Sequence, residues 1–209
     1  MIKGTPELIA GRREEIVNAC EELYKTRSFK EITLKDIGNA VPFSRPTIYN
    51  YFQTKEEIFL ALFEREYDRW NEELSEILER GGEVKLAEAI AGSLARRGQL
   101  LKLLSMNNYD MEASSREENL VSFKKAYGRS MELVTELLRK YRPEMGEGER
   151  AGFIYMFFPF MFGIYPYTAV TDKQKTAMDN AGIDYVYQST YELTLSFLNR
   201  LLSEKESSK

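Results

Sequence analysis

A chain with no histidine and a single cysteine, Cys20, lacks most of the side chains that hold structural zinc or act as a base near neutral pH. Its lone thiol has no histidine to activate it and no second cysteine for an internal disulfide. Carboxylates are plentiful, but the obvious pairs Glu14/Glu15, Glu21/Glu22 and Glu117/Glu118 are sequence neighbours. On a helix such neighbours point about a quarter-turn or more apart and do not face each other. No glycine-rich phosphate loop follows a strand pattern. Catalytic residues, a metal site and a cofactor are therefore not expected. The side chains with useful chemistry lie elsewhere: Arg45, Pro46, Thr47, Tyr49 and Asn50 crowd into one short stretch. A cation, hydroxyls, an amide and apolar ring edges at such spacing make a surface that binds rather than reacts.

Helices must position that surface. Over residues 8–24, Leu8, Ile9, Ile16, Val17, Ala19, Cys20, Leu23 and Tyr24 recur at helical spacing among Arg12, Arg13, Glu14, Glu15 and Glu21, which predicts a surface helix with one buried face. Thr33 followed three residues later by Asp36 reads as a helix start. That helix runs to about Val41, where Pro42 halts it. Ser44 is placed to cap a second short helix with Pro46 in its first turn, ending near Phe52. Thr54-Lys55-Glu56-Glu57 is a further capping box. It opens a long amphipathic helix through Ile58, Phe59, Leu62, Phe63, Trp70, Leu74, Ile77 and Leu78, closed by Gly81-Gly82. With Leu34, Ile37, Val41 and Ile48 packed inside and Gly38 permitting close approach, Arg45, Pro46, Thr47, Tyr49 and Asn50 point outward.

Two short helices joined by a tight turn and buttressed on either side allow one of them to enter a major groove of DNA. An arginine can bond guanine O6 and N7 together, and the methyl of Thr47 or the ring of Pro46 can touch a thymine methyl. Spacing alone leaves a plain helical hairpin equally open. The residues go further. Ile32-Thr33-Leu34-Lys35-Asp36-Ile37-Gly38 followed by Phe43-Ser44-Arg45-Pro46-Thr47-Ile48-Tyr49-Asn50-Tyr51-Phe52-Gln53-Thr54-Lys55-Glu56-Glu57-Ile58 closely resembles the DNA-binding domain of the tetracycline-repressor (TetR) family. The likeness covers about residues 8–63, and its most specific features are Tyr-x-Tyr-Phe at 49–52 and Lys55 at the start of the next helix.

That resemblance implies an all-α fold. A helix-turn-helix DNA-binding domain would occupy 1–53, with its recognition helix at 45–51, and a helical bundle for ligand binding and dimerisation would occupy 54–209. It further implies base or groove contacts from Arg45, Thr47 and Tyr49, apolar contact from Pro46, and phosphate contacts from Thr33, Asn50, Tyr51 and Lys55. Thr33 and Lys55 also sit at helix N-termini, where free amides and the positive dipole end favour phosphate. For Tyr49 and Tyr51, core packing is the competing role. One departure stands out: Pro42-Phe43 occupies the turn where family members commonly carry glycine.

Beyond the double glycine, helices are expected at roughly 83–105, 116–141, 147–170 and 183–204, with a shorter piece near 107–113, a loop at 171–182 and a frayed tail from 203. Residues 151–171 contain no charged side chain and include Phe153, Tyr155, Phe157, Phe158, Phe160, Phe162, Tyr165 and Tyr167. Their length approaches a membrane span. Pro159, Pro166 and the absence of a flanking basic cluster argue instead for a helix buried nearly all round, against both a core and an identical subunit. The resemblance implies a homodimer built from the last two long helices, with Tyr187, Tyr191, Leu195 and Leu198 along the second. Trp70, Met106, Tyr127, Met131, Phe157 and Phe158 are candidate linings for a small-molecule effector, each with ordinary core packing as its alternative. Ligand binding would shift the population toward a form with weaker hold on its double-stranded DNA operator, which is the logic of a ligand-responsive repressor.

Charge bounds these readings. Residues 1–55 carry nine Lys and Arg against seven Asp and Glu, while the remainder is acidic and brings the whole to −4. This permits a DNA-facing N-terminal part without a strong basic footprint. A reducing cytoplasmic location is expected from the near-absence of cysteine and of any apolar leader-like run. A helical adaptor that binds other proteins through its aromatic C-terminal half, without selective DNA binding, is the rival reading.

Overall fold

The computed structural model describes residues 5–106 and 108–203, and all regular structure among them is helical. Expectations for residues 1–4, 107 and 204–209 lie outside the described residues. The helices are α1 Pro6–Thr26, α2 Leu34–Asn39, α3 Arg45–Ile48, α4 Lys55–Glu79, α5 Leu86–Ala95, α6 Gly98–Leu104, α7 Asn108–Ala113, α8 Glu117–Tyr141, α9 Glu147–Thr168, α10 Asp172–Asn180 and α11 Thr190–Ser203, with a 3₁₀ turn at Phe29–Glu31.

The chain forms two compact units. The first joins residues 5–67 with residues 108–127, and the second comprises 68–106 and 128–203. Within the first unit the buried face of α4 continues through Ile58, Phe59, Leu62, Phe63 and Tyr67, and Phe123 of α8 packs on it. Tyr24 meets Phe59 edge-on at 5.1 Å between ring centres, and Phe63 lies 4.8 Å from Phe123. Arg65 of α4 ties down α1 through Glu14 at 2.8 Å and Glu21 at 2.7 Å. Cys20 is fully buried, and burial pushes its thiol well above the ordinary range, which makes it a poor nucleophile.

In the second unit α11 lies against α5 and α9, and α6 against α9. The helix expected over 83–105 is two helices, broken at Arg96 and Arg97. Both arginines turn to Glu73 of α4, with 2.6 Å from Arg96 Nη2 and 2.6 Å from Arg97 Nε. The expected loop at 171–182 contains α10. Its start is a Thr171/Gln174 capping box, with Thr171 N donating to Gln174 Oε1 at 2.9 Å, but no buried residue marks it in the apolar pattern. It ends at Asn180, and the chain turns away at Gly182, whose φ of +68° suits glycine. The last helix consequently starts at Thr190 rather than near 183, where Ser189 and Glu192 form another box: Ser189 N donates to Glu192 Oε2 at 2.8 Å, and Glu192 N to Ser189 Oγ at 3.2 Å.

Within the single chain α9 buries one face. Phe153, Ile154, Phe157, Phe158, Met161 and Ile164 face the core, while Tyr155, Met156, Phe162 and Tyr167 are exposed. No single described helix is long and apolar enough to cross a membrane. α9 and α10 pass that test only together, across a bend of 82°.

Candidate nucleic-acid interface

α2 and α3 are very short, so packing and local hydrogen bonds must hold them. Ile37 and Ile48 are fully buried beneath the pair. A Cβ at position 38 would stand 3.2 Å from Arg45 Cγ and 3.5 Å from Ile48 Cδ1, so Gly38 is what lets α3 lie this close to α2. The turn passes through Pro42 and Phe43, and the Arg12 guanidinium sits 5.7 Å above the Phe43 ring. Arg13 likewise lies 4.7 Å above Phe52.

Ser44 does not cap α3 as expected. Its hydroxyl is 3.0 Å from the Thr47 hydroxyl, and only its carbonyl accepts from the Thr47 amide, at 2.8 Å. The helix also stops at Ile48 instead of continuing to Phe52. Tightened turns follow it, with Tyr51 N and Phe52 N both donating to Ile48 O, at 2.8 and 2.9 Å. The result is a compact knob. Arg45, Pro46, Tyr49 and Asn50 are exposed on it and Thr47 is half-buried beside them. This places side by side a guanidinium, a hydroxyl, a phenol, an amide and a pyrrolidine edge, with Ile48, Tyr51 and Phe52 as the floor.

The remaining predicted residues sit differently. Tyr51 is only 6% exposed, so its ring is chiefly core. Thr33 caps α2 through Asp36: Thr33 N donates to Asp36 Oδ2 at 2.9 Å, Asp36 N donates to Thr33 Oγ1 at 3.2 Å, and the Thr33 hydroxyl itself donates to the carboxylate. The Thr33 hydroxyl bond holds Asp36 below the ordinary carboxylate range. A negative charge therefore already occupies the N-terminus of α2, where a phosphate was expected. Lys55 donates to Phe29 O at 2.8 Å and its ammonium lies 3.8 Å above the Phe29 ring. An ammonium has three donors, so this anchoring leaves it able to meet a phosphate.

Beneath the knob lies a polar node: Glu57 is legible as part of the Thr54 capping box, and its amide donates to Thr54 Oγ1 at 3.2 Å, but its distant partner Arg116 has no local sequence signal. Glu57, fully buried, accepts at Oε1 from Arg116 Nε at 2.7 Å and from Arg116 N at 3.1 Å, and at Oε2 from Arg116 Nη2 at 3.0 Å and Gln53 N at 2.7 Å. Arg116 Nη2 also donates to Tyr51 O at 2.9 Å. Burial alone would push the Glu57 carboxyl up. The Arg116 and Gln53 hydrogen bonds outweigh it and hold the group below its ordinary 4.5. A carboxyl lowered on folding stabilises the native state above the unfolded value and loses that contribution as pH falls through the folded one. Urea unfolding followed from pH 6 to pH 3 should thus show stability falling below about 4.5, less steeply in Glu57→Gln. Equal pH slopes in the two proteins would remove Glu57 as a source of acid sensitivity.

The six candidate ligand-lining residues are not equivalent. Trp70, Phe157 and Phe158 form one buried cluster, with Trp70 6.5 and 6.1 Å from the two phenylalanines. Tyr127 packs edge-on to Tyr67 at 5.5 Å in the first unit. Met131 borders an open depression of about 380 Å³ with Arg139, Arg150 and Tyr155, and Met106 is half-buried after α6. Sequence reasoning left out Arg12, Arg13 and Arg116. The first two are visible as charges on α1, but their aromatic partners are distant in sequence.

Comparison with known proteins gives consistent matches along the chain. Residues 16–62 match the family described as bacterial regulatory proteins, tetR family, and residues 64–189 match the tetracyclin repressor-like C-terminal domain. The HTH-type transcriptional regulator EthR of Mycolicibacterium smegmatis is 36% identical over 53 residues, which are 25% of this chain and 24% of that protein. The chain matches about a quarter to a third of the length of such curated relatives. Among solved structures, PfmR, a TetR family transcriptional regulator of Thermus thermophilus, aligns with a TM-score of 0.60 at 15% identity, covering 92% of this chain and 99% of that one. FadR of Bacillus subtilis, solved in complex with stearoyl-CoA, aligns at 0.59 and 18% identity over the same shares. At these identities the structural likeness speaks for the fold.

Proposed function

Because the chain belongs to the TetR family of bacterial regulatory proteins, we propose that it acts as a homodimeric transcriptional regulator that reads a duplex operator with residues 45–50 and loosens its hold when a small molecule binds the second unit. The observation that carries this reading is the knob: Arg45, Pro46, Tyr49 and Asn50 exposed together on a framework pinned by buried Ile48 and Phe52. A folded protein has no internal need for such a set of donors, acceptors and apolar edges, whereas the edges of base pairs present its complement. Arg45, Thr47 and Tyr49 read bases in this proposal, and Pro46 makes apolar contact. Asn50 and Lys55 set register on phosphates. Thr33 would join them only by exchanging its bond to Asp36, and Tyr51 only through the edge of its phenol.

The second copy is proposed to cover the uncharged outer stripe of α9. Gly152, Tyr155, Met156, Pro159, Phe162, Gly163, Pro166 and Tyr167 recur there at three- and four-residue intervals, with Tyr155 76% and Tyr167 57% exposed. A stripe of that kind suits the seam of a symmetric helical interface. For the effector, long-chain acyl-CoA is the first compound to test, since FadR shares this fold and was solved with stearoyl-CoA. Of the expected lining residues, the Trp70, Phe157 and Phe158 cluster remains the proposed wall, and a ligand there would have to part its rings. Met106, Tyr127 and Met131 are peripheral to it in this proposal. Repression and a cytoplasmic setting belong to the same reading.

The test is a mobility shift on a duplex selected by the wild-type protein from a randomised pool. Arg45→Ala should lose about 1–3 kcal/mol, roughly 5- to 150-fold in affinity, and relax preference at one base pair while leaving the dependence on salt nearly unchanged. An adaptor would select no duplex, and Arg45→Ala would change nothing.

A further inference from the structure

The four-residue α3 cannot hold its own geometry. Its N-terminal side is set by the close approach at Gly38. What sets its C-terminal side is a group from far along the chain. The Tyr51 carbonyl accepts from Arg116 Nη2, and the Gln53 amide donates to Glu57, whose two oxygens are spanned by the same guanidinium. The Thr54 hydroxyl donates to Ser114 O at 3.2 Å, so a second bond from the same segment reaches the start of α4. All of these residues belong to the first unit.

We infer that Arg116 is a positioning residue for operator reading: by fixing the peptide groups at Tyr51 and Gln53 it sets the direction in which Tyr49 and Asn50 leave the knob. This deepens the proposed function and rests on it. The guanidinium suits the task because it is planar and forked. It meets both Glu57 oxygens and still offers a donor to Tyr51 O, which a single ammonium nitrogen cannot do in one plane. A residue that only added stability would not need to bond the backbone immediately beyond the reading residues. The wider reading unit is then discontinuous, assembled from 5–67 and a segment near residue 116.

Arg116→Ala leaves the buried Glu57 carboxylate without its main partner and risks general unfolding, so Arg116→Lys is the informative companion because it keeps the charge. Both are compared with wild type on the duplex that wild type selects from a randomised pool and on a scrambled duplex, at one salt concentration. Amide hydrogen exchange is read over 49–53. For Arg116→Lys the expected result is a ratio of selected to scrambled affinity lowered about tenfold, the scale of one lost charge-assisted hydrogen bond. Affinity for the scrambled duplex should stay within about twofold, since the phosphate-neutralising charge is unchanged. Exchange should accelerate at 49–53 and not in α1. An unchanged ratio in folded Arg116→Lys overturns the inference, and so does exchange that accelerates uniformly through the first unit. A wild-type protein that selects no duplex overturns the operator reading itself and this inference with it, an outcome recognised before any variant is examined.

Discussion

Phe162→Glu is expected to turn the proposed dimer into a monomer and to weaken the proposed operator binding by about two to four orders of magnitude, the loss that follows when two linked half-site contacts become one. Phe162 is 40% exposed on the outer stripe of α9, between Tyr155 and Tyr167. Symmetry places two copies of any residue on that stripe near each other or near the same partner surface, so one substitution inserts two like charges into an apolar seam. Desolvating carboxylates there without a partner opposes association directly. The internal fold should survive, because the core of the second unit is made from the opposite face of α9, at Phe153, Phe157, Met161 and Ile164. Analytical ultracentrifugation gives the mass and a mobility shift gives the affinity. A variant that remains dimeric with full affinity would place the partner surface elsewhere.

Trp70→Ala should cost about 3–5 kcal/mol of stability in the second unit, the range for deleting a fully buried indole where neighbours relax only in part. Trp70 has no exposed surface, and its Nε1 donates to Ser93 Oγ at 3.0 Å while that hydroxyl donates to Ile90 O at 2.8 Å. Removal therefore empties the space between the indole and Phe157 and Phe158 and takes one partner from a buried hydroxyl. Denaturant unfolding measures it. A loss below about 1 kcal/mol would mean that these rings already border open space, which would favour their role as a ligand wall over that of packed core.

The exposed knob proposed to read DNA was largely legible from residue types and spacing because its information is local. A threonine three residues before an acid, a proline that ends one helix and another that begins the next, and a run of outward polar groups all act within a turn or two of backbone. The structure keeps Arg45, Pro46, Tyr49 and Asn50 exposed for that reason. Tyr51 shows where the reasoning thins. Three residues past buried Ile48 it falls on the inward face by simple helical periodicity, and its ring is buried there, which is the core-packing role rather than the phosphate contact that the resemblance implies. α10 and the late start of α11 were also written locally, in the boxes at Thr171 and Ser189. They are overlooked by a search for apolar stripes, since α10 buries nothing. The split between α5 and α6 had no such signal, because Glu73, which draws both arginines, lies over twenty residues away.

Composition and local pattern by themselves determined that this protein is helical, where most of its helices begin, and that Arg45, Pro46, Tyr49 and Asn50 stand exposed on one short stretch, since capping and amphipathic spacing act between residues a few positions apart. Tertiary structure alone decided that Asp36 takes up the Thr33 hydroxyl, that one face of α9 stays uncovered within the chain, and that Arg116 grips the backbone at Tyr51, just past the exposed knob. Side-chain direction and pairing across some sixty residues depend on how helices pack, and one-dimensional spacing carries no record of that.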